Sequence, residues 1–537
     1  MKLPLFLICA ALSAYGQSTY DGPAELPRTT MATSVANTPS PNAPKIVGPT
    51  DNLQAALNGA VCGDTFLVDP ANVWTGTLQL PTTLNCDAQH WITIWSSGVL
   101  PVEGTRLNPL QYSLPKIVIN SSGAGIHGGA FVRIVGFEIL RTTGSGVVYN
   151  LVTPGSGAHD LIFDRSYIHG NGQDETVRGF ELSNAYNIGI INSYLAGFHC
   201  LAIVGTCGDA QGINFGLSTI VQDHNILIDN NFIEASGENI LAGGGTATFN
   251  PTDVTITNNT FNKPDSWNPG DPSFVPASVN SKCPGGKCAW IVKNIVEMKN
   301  CVRCLVANNI MRGAWAGYTQ NGFAILLTAK NPGTCPICAV TDVTVRFNRI
   351  SHTSNAMQVA CGKSDNGAWP AACYGYSIHD NVFADLQFTG ENTPGNFLMQ
   401  ISSLYDPVST PVVMHDVSFD HNSLFLSQWA PQAGSTGHGF LLIGGPPANN
   451  ALGVAQTSDI NFTNNIVSAG TYPVWSTGGG VNNCATTVEA NYSTLVPGCW
   501  TGNSSFAGNI ILSNGTKAGN DKWPMNNYIS NSGANIN

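Results

Sequence analysis

One pattern of apolar and polar positions recurs nine times along the chain. Its copies are "DLIFDRSYI" (160–168), "NIGIINSYL" (187–195), "NILIDNNFI" (225–233), "DVTITNNTF" (253–261), "RCLVANNIM" (303–311), "DVTVRFNRI" (342–350), "GYSIHDNVF" (375–383), "DVSFDHNSL" (416–424) and "DINFTNNIV" (459–467). Apolar residues fall at or beside the second and fourth positions, Asn or Ser at the seventh, and an apolar residue at the ninth. Alternation predicts a short strand, the seventh residue a corner, and the ninth the start of another strand. Asn suits such a corner, because it tolerates a left-handed backbone and bonds locally. Stacked copies would ladder their corner amides.

One copy cannot bury its apolar side alone, so the pattern predicts a stacked solenoid. Corner spacing runs from 27 to 50 residues. A constant unit with variable spacing means regular coils joined by loops of different lengths. A propeller would need a steadier period. Length alone would suggest three or four domains, but the repeat replaces that division with one long unit.

Near the start, "DNLQAALNGAVCGDTFLVDP" (51–70) predicts a short helix and then a strand. Asp51 can cap the helix, and Leu53, Ala56 and Leu57 give it an apolar stripe. The repeat and this opening together resemble the right-handed parallel β-helix of the pectate-lyase-like superfamily. The resemblance implies an all-β solenoid whose N-terminal helix plugs the open apolar end. The expected organisation is a signal peptide at 1–16, a loose Pro/Ser/Thr-rich leader at 17–48, the β-helix at 49–480, and a C-terminal cap and polar tail at 481–537.

The signal reading rests on Lys2, an apolar run to Ala14 and a small-x-small site at Ala14-Tyr15-Gly16. That run is too short to span a bilayer, and no later one is long enough. A secreted protein follows, extracellular or periplasmic and monomeric. Export permits disulfides among the fourteen cysteines beyond residue 16. Local pairs fit at Cys62/Cys86, Cys200/Cys207, Cys283/Cys288, Cys361/Cys373 and Cys484/Cys499. "CVRC" (301–304) and "CPIC" (335–338) have zinc-like spacing, but export favours disulfides, with Cys301 joined to Cys335 or Cys338 as one expectation. A net charge of −11 with only 22 Lys and Arg argues against a nucleic-acid partner.

Only 10% of residues are charged, yet "WIVKNIVEMKN" (290–300) carries Lys293, Glu297 and Lys299 on alternate positions. On a strand they would share one face. Matching "MKN" to "AKN" sets Lys299 beside Lys330 and Glu297 beside Thr328. Matching "ELSN" to "EMKN" places Glu181 in the row of Glu297, and Lys363 would extend the lysine row. The bland alternative is a solvated outer face with weak surface pairs.

Three more segments offer polar groups. "SGENILAGGG" (236–245) presents Glu238 and Asn239 for a sugar or cation, or is a tight corner. "MRGAWAGYTQNGFAIL" (311–326) offers Arg312, Trp315, Gln320 and Asn321 as a sugar surface, or Trp315 covers a loop core. "HGNGQDETVRGFE" (169–181) offers Asp174, Glu175 and Glu181 to calcium. The segments "GENI…GG", "W-x-VKN-x-x-E-x-KN" and "Q-x-GFAILLT" resemble a group of exported bacterial β-helix repeat proteins.

Lyases of the chondroitinase B and alginate lyase type carry "E-x-x-x-x-K" before an "N-x-F" corner, with "R-H-G" one coil on. Lys299 before "NNIM" resembles their base. The resemblance implies that a cation or Arg neutralises the uronate carboxylate while Lys removes the neighbouring proton. Two positions depart from it: Asn294 replaces the Glu, and Thr328 with Lys330 stands where "R-H-G" would fall. Polygalacturonase-like motifs are absent except "GHG" at 437–439. The expected function is a lyase-like enzyme on acidic polysaccharide. Lys299 is the base, Lys330 neutralises charge, and Glu297 orients Lys299 or holds calcium, with Lys293 among the binding residues. The alternatives are a non-catalytic glycan-binding or surface protein, and a β-helix glycoside hydrolase.

Overall fold

The computed structural model describes residues 19–317, 320–386, 397–427, 439–469, 473–476, 484, 492–512 and 523–530. The signal expected at 1–16 lies outside them. Three long parallel sheets wind into a right-handed β-helix. Sheet 1 and sheet 2 each have fourteen described strands and sheet 3 has twelve. One coil shows the order: His159–Asp164 in sheet 1, Tyr167–His169 in sheet 2, Thr176–Glu181 in sheet 3, then Tyr186–Ile191 back in sheet 1.

The repeat's second and fourth positions point inward. Leu161, Ile188, Ile226 and Val254 stack in register, as do Phe163, Ile190, Ile228 and Ile256. All eight are at most 1% exposed. Burying each aliphatic or Phe side chain favours the folded state by ~1.5–3 kcal/mol.

The corner divides its work between two residues. The sixth position, not the seventh, is left-handed in all nine copies, with φ from +47° at Arg165 to +58° at Asn258. The seventh carries the ladder. From Ser166 through Ser193, Asn231, Asn259, Asn309, Asn348, Asn381, Asn422, Asn465 and Asn509 to Asn527, each backbone N–H donates to the next rung's side-chain oxygen at 2.8–3.0 Å. The Asn amides also donate to sheet 1 carbonyls, as Asn348 does to Val306. The first position is left-handed too, including Gly375 at +71°.

The helix expected after residue 51 is Leu53–Asn58, but its N-cap is Asn52, whose Oδ1 accepts from the Ala55 N–H. Asp51 instead accepts from the Gly48 N–H. Leu53 and Leu57 enter the main core.

Two expectations about the ends are corrected. The leader is not loose from residue 19 on: it lies along the outside of sheet 1. Asp21 accepts from Arg346 at 2.6 Å and contacts His379 at 3.0 Å. The Glu25 and Arg28 N–H groups donate to Asp342 and Asp253. Met31 packs with Ile162, Ile191 and Leu227. Beyond 480 the coils continue, because Ser505–Ala507 joins sheet 1, and Ile510–Leu512 and Tyr528–Ser530 join sheet 2.

All five expected local cysteine pairs form. Cys301 bonds to Cys304, and Cys335 to Cys338. Cys301 and Cys304 lie in the main core, whereas Cys335 and Cys338 pack with Ala247 in a separate cluster, so a bridge between the motifs is ruled out. Paired sulfurs also leave no thiolate for zinc.

Asn348→Ala removes the acceptor of the Asn309 N–H and the donor to Val306. Urea unfolding should show a loss of ~3 kcal/mol, because buried polar groups lose their partners. Phe347→Asn, at a left-handed position with φ +56°, should raise stability by ~1 kcal/mol.

Candidate functional site

The charged row sits on sheet 3. In the strand Val296–Met298, Val296 and Met298 face the core. Alternation turns Glu297 outward. Lys293 precedes the strand, and Ile295 is fully buried. Glu181 shares the row of Glu297 through Asn214 and Leu241, as expected.

The expected match of Glu297 to Thr328 is corrected. The ladder pairs Glu297 with Leu326 and Met298 with Leu327, which sets Lys299 against Thr328. The inward residues decide the register, not the repeated Lys-Asn pair. After Asn300 the chain enters sheet 1 at once, whereas Lys330 begins the connection to Ala339.

Lys330 nonetheless reaches the same place. Glu297, Lys299, Thr328, Lys330, Gln358 and Lys363 line one cleft of about 410 Å³. Glu297 forms its sunken part at 6% exposure. Its carboxyl accepts from the Asn294 amide at 2.9 Å and lies 3.5 Å from the Lys299 ammonium. Burial pushes this carboxyl above its ordinary range against the pull of Lys299. Lys330 is half-exposed, 3.3 Å from Asp365, and Lys363 pairs with Asp406. Gln358 bonds to Gln400 at 2.6 Å. The sequence reading missed Gln358 and Asp365. Gln358 and Gln400 each lie one residue past a Met, the only hint of their shared row.

The other expected binding residues fall elsewhere. Glu238 and Asn239 are at most 1% exposed, so neither offers a sugar contact. Glu238 accepts from Gln211 at 3.0 Å, and Asn239 donates to the carbonyls of Ile233 and Asn262. Lys293 lies 2.9 Å from Asp209 and 3.7 Å from Glu238. Burial opposes its charge, but these two acids outweigh burial and hold the ammonium charged. Asp209 is its nearer partner, and Glu238, deeper, is pushed toward its neutral form by burial and by Asp209. Lys293 is therefore a structural cation rather than a substrate contact. Arg312 is on sheet 2 and grips Asp265 with two bonds at 2.9 and 2.6 Å. Trp315 packs against Val292 and Trp267, so it covers a loop core. Gln320 and Asn321 form a short strand, but their side chains lie outside the described residues.

The expected calcium ligands are also dispersed. Asp174 accepts from Gly144 and Asn171, Glu175 from Leu201 and Thr206, and Glu181 from Thr153 and Ser183. Among the described residues, Glu175 gathers with Cys200 and Cys207, but those cysteines are bonded to each other.

No family model matches the sequence, and no curated protein does. Solved structures match in fold. The catalytic domain of a GH87 α-1,3-glucanase in complex with nigerose aligns at a TM-score of 0.50 and 12% identity, covering 90% of this chain and 70% of that one. A single-substitution form of that domain gives 0.51 and 13% over the same shares. An alginate lyase from Paenibacillus sp. str. FPU-7 aligns at 0.40 and 13%, covering 71% and 97%. The fold these matches share with this chain is a right-handed parallel β-helix. No helix among the described residues is long and apolar enough to cross a membrane.

Lys293→Met leaves two acids without their cation and should cost ~3 kcal/mol by urea unfolding at pH 8. Glu238 binds its proton more tightly folded than unfolded. Its contribution is therefore full at low pH and is lost as pH rises through the raised value. The Lys293→Met loss should be smaller at pH 5 than at pH 8, and adding Glu238→Gln should remove that difference.

Proposed function

We propose that the protein is exported and acts on a uronate-containing polysaccharide by β-elimination in the sheet 3 cleft. One observation carries this reading. Three lysines, Lys299, Lys330 and Lys363, converge around a buried carboxyl in a chain with few cations. A cleft lined by lysines favours a polyanion.

The roles follow from the neighbours: Lys299 lies beside Glu297, whereas Lys330 and Lys363 lie beside Asp365 and Asp406. Lys330 and Lys363, at the cleft wall, neutralise the uronate carboxylate and so acidify the C5–H bond. Lys299, beside Glu297, is the group placed to take the C5 proton. The C4–O bond breaks as the C4–C5 double bond forms. Glu297, held toward its neutral form by burial, supplies the proton for the departing oxygen.

The test is ultraviolet absorbance of unsaturated uronate on alginate, pectate, chondroitin and dermatan, with and without calcium. Wild type should raise absorbance on at least one substrate. Lys299→Ala should lower the rate ~100-fold or more. Lys299 is only a quarter exposed, so the variant's fold is checked by its urea midpoint. A flat trace with new reducing ends would replace elimination with hydrolysis. Flat traces in both assays would leave only binding.

A further inference from the structure

The longest coil in the repeat separates Asn259 from Asn309, a gap of 50 residues. Most of the excess lies between Asn262, at the end of its sheet 2 strand, and Val296, which opens the sheet 3 strand. This insertion has its own hairpin, Ser278–Val279 with Lys287–Cys288, and its own disulfide, Cys283–Cys288. It docks two coils back through an antiparallel bridge between Trp290 and Leu201. The strands on either side of it keep their register with the next coil.

The insertion and the outer face of sheet 2 enclose a second cleft of about 510 Å³. The insertion contributes Trp267 and Trp290, and the sheet side contributes Tyr167, His169, His199 and Glu234. Trp290 stacks on His199 with ring centroids 3.6 Å apart, and Trp267 meets that imidazole edge-on at 6.2 Å. Tyr167 stacks on His169 at 3.9 Å. Trp267 is backed by Trp315 and Val292 yet remains partly exposed. His199 donates from Nε2 to the Asn171 carbonyl at 2.7 Å, which leaves Nδ1 as an acceptor, and Nδ1 has no partner. Burial pulls this imidazole down to about 4, so it is neutral near pH 7. Glu234 makes a long contact, 3.5 Å, to the Asn262 amide and takes a backbone hydrogen bond from Gly197.

No Lys or Arg lines this cleft, in contrast to the sheet 3 cleft. An anionic sugar would bring its charge beside Glu234 without a counter-charge. Aromatic faces suit the C–H faces of a pyranose, and the second lone pairs of the Glu234 carboxyl suit its hydroxyls. We propose that the cleft between the 263–295 insertion and sheet 2 binds a neutral saccharide, with Trp267 as its stacking platform and Glu234 as a hydroxyl partner. This site is separate from the lysine cleft and stands whether or not elimination occurs there.

The test uses the full exported chain with cellotetraose, maltotetraose, xylotetraose and mannotetraose, and tetragalacturonate as the charged comparator. Calorimetry and tryptophan fluorescence read the binding. At least one neutral tetrasaccharide should bind saturably, and Lys299→Ala should leave that affinity unchanged. Trp267→Ala should weaken it about tenfold or more. Trp267→Phe, which keeps an aromatic face, should recover most of the loss. Glu234→Gln keeps the shape and should weaken binding severalfold, so the proposal remains testable if Trp267→Ala disturbs the insertion. Absence of binding by every neutral tetrasaccharide at millimolar concentration would overturn the proposal. So would affinities unchanged in both Trp267→Ala and Glu234→Gln, or equal displacement by tetragalacturonate.

Discussion

Each coil turns from sheet 1 to sheet 2 on a side chain that has left water entirely. A buried amide with no partner is costly, so each corner Asn needs the next corner Asn at its own height. The chain of bonds from Ser166 to Asn527 therefore holds every coil in step with its neighbours. It also places a left-handed residue before every rung, even where that residue is Arg165 or Phe347. The backbone accepts local strain there because ladder and core over-determine the turn.

A fixed corner frees the rest of each coil. Nothing in the ladder limits the loops leaving sheet 2 or sheet 3, and both clefts arise from such loops. The connection after sheet 3 brings Lys330 and Lys363 to the Glu297 cleft, and the 263–295 insertion walls the aromatic one. The two clefts differ in charge because they are built from different loops over the same scaffold. Buried polar groups between the scaffold and the insertion are matched individually. The Lys263 side-chain nitrogen, for example, is fully buried and donates to the carbonyls of Ala235, Ser236 and Gly237.

The fold was legible because inward positions and corner residues obey a strict local rule. The gathering of Glu297, Lys299 and Lys330 was legible in part. Their charges stand out in a chain poor in charge, but the pairing of Lys299 with Lys330 misplaced the register by two residues. The shared Lys-Asn pair carried less information there than Met298 and Leu327, which must both face inward. Glu238 and Lys293 read as surface groups because sequence does not show what covers a strand. The coils past 480 escaped notice because "SFA", "IIL" and "YIS" are too short to display an alternation. The aromatic cleft was invisible because Tyr167, Glu234 and Trp267 lie in three different coils and meet only after stacking.

The N-terminal strap gives the molecule a sequence in time. Between its contacts at His379 and Trp91 it runs back across eight rungs of sheet 1, roughly 38 Å at ~4.8 Å per rung. Its anchors, Asp253, Asp342, Arg346 and His379, belong to coils far downstream. A chain emerging from its N-terminus makes this segment before the coils that hold it, and its Asp21 end cannot dock until residue 379 has joined the stack. The earliest stretch of the polypeptide is thus among the last to dock, and its docking reports that the intervening coils have the right number and order.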